Sequence, residues 1–326
     1  MKAIQFSRYG GPEVLEYIDV EKPKPADHEV LISVHTAGVN YADTARRRGQ
    51  YVVPTSLPFI PGAEVAGIVT EIGAKVTRVQ TGARVVSLIE SGGYAEYAVA
   101  NEDTVIELPN STDFYQAAAL PLQGLSAYHI LKTMGRIEPE ETVLIHAAAG
   151  GLGTIAIQLA KLFGAGKVIA TASSPEKLQL AESMGADVLI DYTKADWDKK
   201  VMEATNGRGV DLGLEMAGGD TFRHTLKCLA PMGRVVVYGN ASGVPYQFDP
   251  TKLMRRNQSV IGFFLPQIMK NQELLTSSMN ELYTYAASGK LKLTIGDVYS
   301  LDQAAKVHEA FQLRKTLGKL IIEIKK

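Results

Sequence analysis

The feature that most constrains this chain is a glycine turn between an apolar strand and a helix. The glycine turn reads HAAAGGLG at 146–153, with an apolar run at 142–145 before it and a helical stretch at 154–163 after it. A turn with few side chains lets the backbone approach a pyrophosphate, and the free amides and positive dipole end of the following helix hold its charge. A glycine cluster alone is also typical of an ordinary strand-to-helix turn. The neighbouring sequence therefore decides whether this turn binds a pyrophosphate.

Downstream of the glycine turn, short apolar runs alternate with helical stretches. These runs cover 167–171, 187–190, 210–216, 234–238 and 258–265. Parallel strands need crossovers that cover a sheet face, and helices between the strands supply them. The pattern predicts a doubly wound parallel sheet in a dinucleotide-binding domain over 122–265. The run at 260–265 ends this sheet, and an exposed strand edge there favours pairing of two copies into a homodimer.

Residues 1–121 show short strand-like segments separated by Gly, Pro and Asp. The segments are 2–6, 29–35, 64–72, 84–88, 94–99 and 104–107, which is typical of an antiparallel barrel or sandwich. A helix is predicted over 113–134 with a break at Pro121, and we place the domain boundary there.

Beyond residue 265 the chain continues with a predicted helix over 271–288, a capping box at 300–303 that opens a second helix, and a strand over 319–324. The dinucleotide sheet is complete by then, so we expect this tail to join the first domain. The first domain would then comprise 1–121 and 266–326.

Composition limits the partners and the compartment. The net charge of −1 shows no broad basic excess, so nucleic acid binding is not expected. No run approaches the roughly 20 apolar residues that span a bilayer, and the first residues lack the apolar core of a signal peptide, so we expect a cytoplasmic protein without a membrane partner. The single cysteine, Cys228, excludes an intrachain disulfide and is expected to be a buried thiol.

Five motifs in order connect this chain to a known family. They are MKAI at 1–4 with GGPEVL at 10–15, AGVNYAD at 37–43, PGAEVAG at 61–67, AAGGLG at 148–153 and RKTLGK at 314–319. On these motifs the chain resembles the zinc-independent quinone oxidoreductases of the medium-chain dehydrogenase/reductase superfamily. The resemblance implies an α/β Rossmann domain inserted into a GroES-like β-rich catalytic domain, NADPH as hydride donor, and a quinone or a conjugated enone or enal as acceptor.

Some residues depart from the superfamily pattern, and these departures affect the predictions of metal binding and of the electron acceptor. Zinc alcohol dehydrogenases of the superfamily carry a cysteine where this chain has Asn40 and a histidine where it has Ala63, so we expect no metal. Glu64 remains from that pattern, and an internal salt bridge or amide acceptor is its simplest role. Ala148 stands where the superfamily has its usual first glycine, and Ala45 stands where this branch often has an aromatic residue.

The candidate catalytic residues lie between the second and third predicted strands. Asn40 and Asp43 are expected on a loop that the resemblance turns toward the nicotinamide, although an Asx turn also explains this pair. Tyr51 is a candidate for stacking on a quinone, and ordinary core packing is the alternative. Arg46, Arg47 and Arg48 indicate either a solvated face or an electrostatic collar for an anionic cofactor.

The candidate cofactor residues begin with the glycine turn. The resemblance also places Ser126 at a helix start that faces the cofactor, with a plain helical serine as the alternative. His146 is expected to be packed or hydrogen-bonded rather than catalytic. Apart from the 2′-phosphate residues described below, the glycine turn and the resemblance together predict these cofactor-binding residues: Ser126, Ala148, Gly150, Gly151, Leu152, Gly153, Gly239, Asn240, Phe263, Phe264 and Arg314.

The second predicted strand of the sheet decides between NADPH and NADH. Enzymes that use NAD place an acidic side chain at this strand end to bind the ribose 2′-hydroxyl, whereas this chain reads ATASSPEK at 170–177. The hydroxyls of Ser173 and Ser174 and the ammonium of Lys177 suit a 2′-phosphate, and Tyr192 adds a further hydroxyl. Ser174 before a proline is also a helix N-cap, which is compatible with that role.

The sequence therefore predicts an NADPH-dependent, metal-independent oxidoreductase that transfers hydride to a quinone or a conjugated enone or enal. A non-catalytic NADPH-binding protein with a structural or regulatory role is the alternative. Hydrolysis is not expected, because no strand-to-helix elbow carries Gly-x-Ser-x-Gly.

Overall fold

The computed structural model describes residues 1–325, and the chain divides into two compact units. The first unit contains Met1–Leu122 together with the chain from Leu293 onward, and the second contains Gln123–Lys292. The first unit is therefore discontinuous in sequence.

The amino-terminal part of the first unit is rich in short strands. Antiparallel pairs join β1 with β2, β3 with β4 and β6, and β5 with β4 and β7. The core is built from alternate strand positions such as Val30, Ile32 and Val34, as the period of two in a pleated strand requires. The elements are β1 (Lys2–Gln5), β2 (Glu16–Asp19), β3 (Glu29–Gly38), α1 (Tyr41–Arg47), β4 (Glu64–Ile72), β5 (Arg84–Leu88), β6 (Tyr97–Asn101), β7 (Val105–Glu107) and α2 (Phe114–Ala119).

The predicted antiparallel strand pattern of this unit is confirmed, and two elements differ from expectation. The strand β2 was not predicted, because only one of its residues is even partly buried. The helix α1 replaces the expected loop after β3. It has only seven residues, and a helix this short carries too few turns to show a clear apolar period.

The second unit is a parallel sheet with helices between the strands. The strand order is β10-β9-β8-β11-β12-β13, and every pairing is parallel. The elements are α3 (Pro121–His129, which begins in the first unit), a π-helical turn (Ile130–Met134), β8 (Thr142–Ile145), α4 (Gly151–Leu162), β9 (Lys167–Ala172), α5 (Pro175–Ser183), β10 (Val188–Asp191), α6 (Trp197–Ala204), β11 (Val210–Glu215), α7 (Gly219–Cys228), β12 (Leu229–Val237), α8 (Thr251–Met254), β13 (Ser259–Gly262), α9 (Leu265–Met269) and α10 (Gln272–Ala287).

The carboxyl boundary of this unit differs from the expected one after residue 265. The helix α10 belongs to the second unit, because it packs through polar contacts on α3: Nε2 of His129 lies 3.1 Å from Oγ of Ser278, and the hydroxyl of Tyr128 donates to Glu281 at 2.6 Å. An amphipathic helix pattern does not reveal which domain its apolar face covers, so the sequence assigned this helix to the wrong unit.

The carboxyl-terminal part returns to the first unit. It contains β14 (Ile295–Ser300), a 3₁₀ turn (Leu301–Gln303), α11 (Ala304–Gln312) and β15 (Lys319–Glu323). The predicted capping box is present, with the Ser300 amide donating to Oε1 of Gln303 at 3.3 Å. β15 pairs in parallel with β14 and antiparallel with β3. Within residues 1–325, no helix is both long and apolar enough to cross a membrane.

Candidate active site

The glycine turn connects β8 to α4 at the carboxyl end of the parallel sheet. Ala147 adopts a left-handed φ of 49°, and the Gly150 amide donates to the Ala147 carbonyl at 2.9 Å. Ala148 is fully buried and donates to the Thr171 carbonyl at 3.1 Å. The main chain of the turn is thereby anchored to the neighbouring strand, and the first amides of α4 follow directly.

Protein atoms lie close to two glycines of the turn, and at Gly153, where the nearest atoms belong to the backbone, only glycine fits. A Cβ on Gly151 would lie 1.9 Å from Oε1 of Gln123, and a Cβ on Gly153 would lie 2.4 Å from the Ala147 carbonyl oxygen. At Gly150 the nearest atom to an added Cβ is the Ala147 oxygen at 3.3 Å. The backbone at Gly150 is therefore the least covered by protein, which fits the close approach of a pyrophosphate at the start of the 12-residue helix α4. Leu152 lies in the first turn of that helix.

Hydroxyl and ammonium groups gather where β9 ends. Nζ of Lys177 lies 3.4 Å from Oγ of Ser173, and Oγ of Ser174 accepts from the Lys177 amide at 3.4 Å as the N-cap of α5. Tyr192 follows β10, and its amide donates to the Ala172 carbonyl at 3.1 Å. The structure thus brings all four predicted 2′-phosphate residues to neighbouring strand ends, while Glu176 is exposed. This arrangement fits a phosphate that is bound by donors from two strand ends.

The remaining cofactor candidates fall into two groups. Gly239 and Asn240 follow β12, and Phe263 and Phe264 follow β13, so these four lie at the same carboxyl edge of the sheet as the glycine turn. The Ala241 amide donates to the Met216 carbonyl at 2.8 Å, and the Phe263 amide donates to the Val237 carbonyl at 2.9 Å, which fixes both loops.

Ser126 and Arg314 are placed differently from the others. Ser126 is buried in the middle of α3, which begins at Pro121, so the expected position at a helix start is wrong; the proline opens the helix earlier. Arg314 is an exposed residue with a φ of 53° in the turn between α11 and β15, and it belongs to the first unit. A contact of either residue with the cofactor stays a prediction.

A buried polar cluster in the first unit joins three segments that are distant in sequence. Nδ2 of Asn40 donates to Oε1 of Glu64 at 2.8 Å, and Nζ of Lys319 donates to Oδ1 of Asn40 at 2.8 Å. Lys319 also forms an ion pair with Glu64, whose other oxygen accepts from the Leu122 amide at 2.9 Å. The exposed fractions are 3% for Asn40, 0% for Glu64 and 1% for Lys319. We call these three residues the Asn40–Glu64–Lys319 cluster.

Strand pairing explains why these residues meet. β3 lies between β4 and β15, with Ala37 opposite Val65 and Gly38 opposite Ile321. A Cβ on Gly38 would lie 2.5 Å from Oε1 of Glu64, so a glycine is needed where the carboxylate crosses the strand. Glu64 has the internal role that the sequence indicated, as both a salt-bridge partner and an amide acceptor.

Asp43 holds the first turn of α1 in place. Its Oδ2 accepts from the Asn40 amide at 2.9 Å and from the Tyr94 hydroxyl at 3.1 Å, and its Oδ1 accepts from the Gly62 amide at 3.2 Å. Burial raises the pKa of this carboxyl group, although the hydrogen bonds and the Lys319 charge lower it. The expected loop is therefore a capped helix start, and the polar groups of Asn40 and Asp43 bind neighbouring protein groups. Their contact with a substrate stays a prediction.

Tyr51 lies beyond α1 beside an arginine. The Arg46 guanidinium carbon is 4.2 Å from the centroid of the Tyr51 ring. Burial raises the pKa of the Tyr51 hydroxyl, and the Arg46 charge acts in the opposite direction. The ring is half-buried, so stacking on a quinone and packing within the protein both remain open at this position.

Sequence reasoning did not select Lys319, Tyr94 or Glu215. A lysine between Gly318 and an apolar strand is a detectable signal for Lys319, because a charge at the start of a buried strand needs a partner. No local pattern marks Tyr94 as the partner of Asp43. Glu215 ends the fully buried strand β11, and a carboxylate at that position is a similar signal.

Two structural expectations are confirmed in the second unit. The ring nitrogens of His146 lie 2.8 Å from the hydroxyls of Thr171 and Thr225, and burial lowers the pKa of His146 to about 4. Cys228 is fully buried. Neither residue has an arrangement suited to nucleophilic or acid–base chemistry.

The donor set at the expected zinc position is Asn40 and Ala63, neither of which is a usual zinc ligand. Within residues 1–325, no group of three or more His, Cys, Asp or Glu side chains is placed to hold a metal ion. Metal independence stays a prediction from the residues at these positions.

A parallel sheet with a glycine turn after its first strand, combined with a discontinuous β-rich unit, defines a nucleotide-dependent dehydrogenase or reductase. Comparisons with known proteins agree. The alcohol dehydrogenase GroES-like domain family matches residues 26–110, and the zinc-binding dehydrogenase family matches residues 151–280.

Relatives resemble the chain along its whole length. The quinone oxidoreductase of Pseudomonas aeruginosa is 36% identical, with 98% of this chain and 99% of the relative covered. A Pseudomonas syringae quinone oxidoreductase structure has a TM-score of 0.93 at 40% identity, with 99% of each chain covered. The Escherichia coli quinone oxidoreductase complexed with NADPH has a TM-score of 0.94 at 35% identity, with 99% of this chain and 100% of that chain covered.

The chain belongs to the quinone oxidoreductase family of the medium-chain dehydrogenase/reductase superfamily. The predicted family, the fold of a GroES-like domain with a Rossmann-like parallel sheet, and the class of oxidoreductase are all confirmed.

Proposed function

We propose that this protein reduces a quinone or a conjugated enone or enal with NADPH, without a metal ion. The observation that carries the proposal is the pairing of the glycine turn with the hydroxyl and ammonium groups of Ser173, Ser174 and Lys177 at the next strand end. The predicted cofactor is confirmed, since structures of relatives contain NADPH. When bound, NADPH supplies the hydride.

The residues of the second unit bind and orient the cofactor. The Gly150 backbone and the first amides of α4 take the pyrophosphate, and Lys177 with Ser173 takes the 2′-phosphate. The loops after β12 and β13, which carry Gly239, Asn240, Phe263 and Phe264, lie at the same sheet edge. We propose that they border the nicotinamide half.

The first unit contributes fixed polar groups and an apolar surface rather than a metal ion. Lys319 neutralises Glu64, and Asn40 is held between them, so the cluster carries no unpaired charge. Asp43 fixes the start of α1, after which Tyr51 follows. We propose that these residues shape the acceptor site and exclude water from it.

Without zinc ligands, the site favours acceptors that can stabilise the negative charge left by hydride transfer. An isolated ketone becomes a costly alkoxide when it accepts hydride, and a zinc ion would normally stabilise that charge. A quinone becomes a hydroquinone anion and a conjugated carbonyl becomes an enolate, and both spread the charge over several atoms. Such acceptors suit a site that has no metal ion to stabilise an alkoxide.

A homodimer formed through the edge strand β13 is part of the proposal, because β13 ends the sheet and leaves one side without a partner strand among residues 1–325. The cytoplasmic location and the lack of nucleic acid partners stay predictions. A purely structural NADPH-binding role is not favoured, because the relatives are named as oxidoreductases.

A steady-state assay tests the proposal. NADPH oxidation is followed by the loss of the absorbance of its reduced nicotinamide with a panel of quinones, enals, enones and simple ketones. The melting temperature is measured with and without NADPH. We expect oxidation with conjugated acceptors and none with simple ketones. A protein that NADPH stabilises but that oxidises it with no acceptor would contradict the proposal.

A further inference from the structure

The three consecutive arginines at the end of α1 have different surroundings. Arg47 is fully buried, its Nε donates to the Gly10 carbonyl at 3.2 Å, and its Nη1 lies 3.4 Å from Nδ1 of His308. Arg48 lies beside Gln312, whose amide oxygen accepts from Nη2 of Arg48 at 2.6 Å when it is turned toward the guanidinium. These two arginines therefore connect α1 to other parts of the first unit, which is a structural role.

Arg46 instead lies against aromatic rings. Its guanidinium carbon is 4.2 Å from the centroid of Tyr51 and 5.2 Å from the centroid of Phe59, and its Nη1 is 3.5 Å from Oγ1 of Thr55. Within residues 1–325, Arg46 forms no ion pair with a carboxylate. The two rings attract the guanidinium without neutralising its charge.

The segment that carries Tyr51, Thr55 and Phe59, the residues in contact with Arg46, also carries exposed apolar side chains. Val52 is 72% exposed, and Val53 and Leu57 are each 37% exposed. The charges of Asp43 and Glu90 both raise the pKa of the Tyr51 hydroxyl. Asp43 is buried and bound by three hydrogen-bond donors, while Glu90 is exposed and therefore screened by water and salt. A positive charge next to an apolar surface remains.

Resting on the proposed reduction of quinones, we propose that Arg46 determines acceptor specificity and favours quinones that carry an anionic substituent, such as a sulfonate or carboxylate. A planar guanidinium matches the oxygens of such groups with two parallel hydrogen bonds. The apolar side chains of Val52, Val53 and Leu57 suit the flat ring of the same molecule. Arg47 is fully buried and does not reach this surface, and Nη2 of Arg48 is held by Gln312.

The test compares two quinones with the same ring system, 1,4-naphthoquinone-2-sulfonate and 2-methyl-1,4-naphthoquinone. The ratio of kcat/KM for the anionic over the neutral quinone is measured in the wild type, Arg46→Met and the matched control Arg48→Met. Differences in intrinsic reactivity between the quinones cancel when this ratio is compared between variants. We expect Arg46→Met to lower the ratio by about tenfold, the effect of one partly exposed charge-assisted bond.

Three further results decide the proposal. The ratio should stay within about twofold of the wild type in Arg48→Met, and added salt should lower it in the wild type but not in Arg46→Met. A ratio unchanged in Arg46→Met, or lowered equally in both variants, would overturn the assignment. Melting temperatures of both variants show whether a lower kcat/KM ratio comes from the lost Arg46 contact or from a destabilised fold.

Binding measured by calorimetry separates this inference from the proposed function. If the wild type binds the sulfonate about tenfold more tightly than Arg46→Met but neither oxidises NADPH, the proposed reaction fails and the assignment of Arg46 stands. If the wild type reduces the neutral quinone but binds the sulfonate no better than Arg46→Met, the reaction stands and the assignment fails.

Discussion

The ammonium group of Lys319 and the carboxylate of Glu64 form an ion pair from which water is almost completely excluded. Asn40 bonds to both partners, so the pair is enclosed by hydrogen bonds as well as by protein. Burial lowers the pKa of Lys319, while the Glu64 charge acts against that shift. Removing one partner would leave the other buried without a counter-charge, which costs more than removing both.

The first prediction concerns this pair. Lys319→Met should destabilise the protein by about 3–5 kcal/mol, and the double variant Lys319→Met with Glu64→Gln should be less destabilised than the sum of the single changes. Melting temperatures of the wild type, both single variants and the double variant provide a double-mutant cycle. Purely additive losses would show that the two side chains do not stabilise each other.

The second prediction concerns the choice of NADPH. A charge-assisted hydrogen bond contributes about 1.5–3 kcal/mol, which corresponds to roughly ten- to a hundredfold in affinity. Lys177→Ala should weaken NADPH binding by about that factor and leave NADH binding nearly unchanged. Calorimetric titration of both cofactors measures this, with Lys199→Ala on the exposed surface of α6 as the control. An equal loss for both cofactors would place the 2′-phosphate elsewhere.

The third prediction follows from Glu215 at the end of β11. Its Oε1 accepts from the amides of Ala217 at 2.6 Å and Gly218 at 3.3 Å, while its buried Oε2 has no hydrogen-bond partner within residues 1–325. Burial raises its pKa from 4.5 to about 7. The folded state therefore keeps a proton that the unfolded state releases, and stability falls as the pH rises from about 4.5 to 7.

Replacing Glu215 with glutamine should remove this contribution. The shift corresponds to about 3 kcal/mol once the pH exceeds 7, so Glu215→Gln should gain several degrees in melting temperature relative to the wild type between pH 5 and pH 8. Melting curves of both proteins at the two pH values give the comparison. The same difference at pH 5 and pH 8 would mean that Glu215 does not titrate in this range.

The fourth prediction concerns the edge strand β13. If two copies pair along this strand, Ile261→Lys should weaken the dimer and leave NADPH binding intact, because a charge on an edge strand opposes pairing. Sedimentation velocity at micromolar concentration measures association, and NADPH titration provides the control. A wild type that sediments as a monomer would exclude this dimer.

Much of the fold follows from local sequence patterns. The short strand segments separated by Gly, Pro and Asp predict the β-rich unit, and the alternation of strands with helices predicts the parallel sheet. The assignment of α10 failed for a physical reason: its apolar stripe specifies that it packs, but not on which unit. The short helix α1 was missed because a capped turn and an Asx loop begin with the same residues.

The candidate site was predictable only in part. The glycine turn and the SSPEK segment each place their chemistry within a few residues, so sequence reasoning finds them. The Asn40–Glu64–Lys319 cluster depends on the pairing of β3 with β4 and β15, which joins residues from both ends of the chain. The stacking of Arg46 on Tyr51 likewise depends on how the chain turns after α1, which no spacing rule specifies.

The central claim is that this protein transfers the reducing equivalents of NADPH to a conjugated acceptor without a metal ion. The most direct test is an anaerobic turnover of chelator-treated protein with NADPH and 2-methyl-1,4-naphthoquinone, in which NADPH and hydroquinone are both quantified. We predict one hydroquinone for each NADPH consumed, at a rate that chelator does not change, because Asn40 and Ala63 stand where zinc ligands would be needed. No NADPH consumption, or activity that chelator removes and zinc restores, would contradict the account.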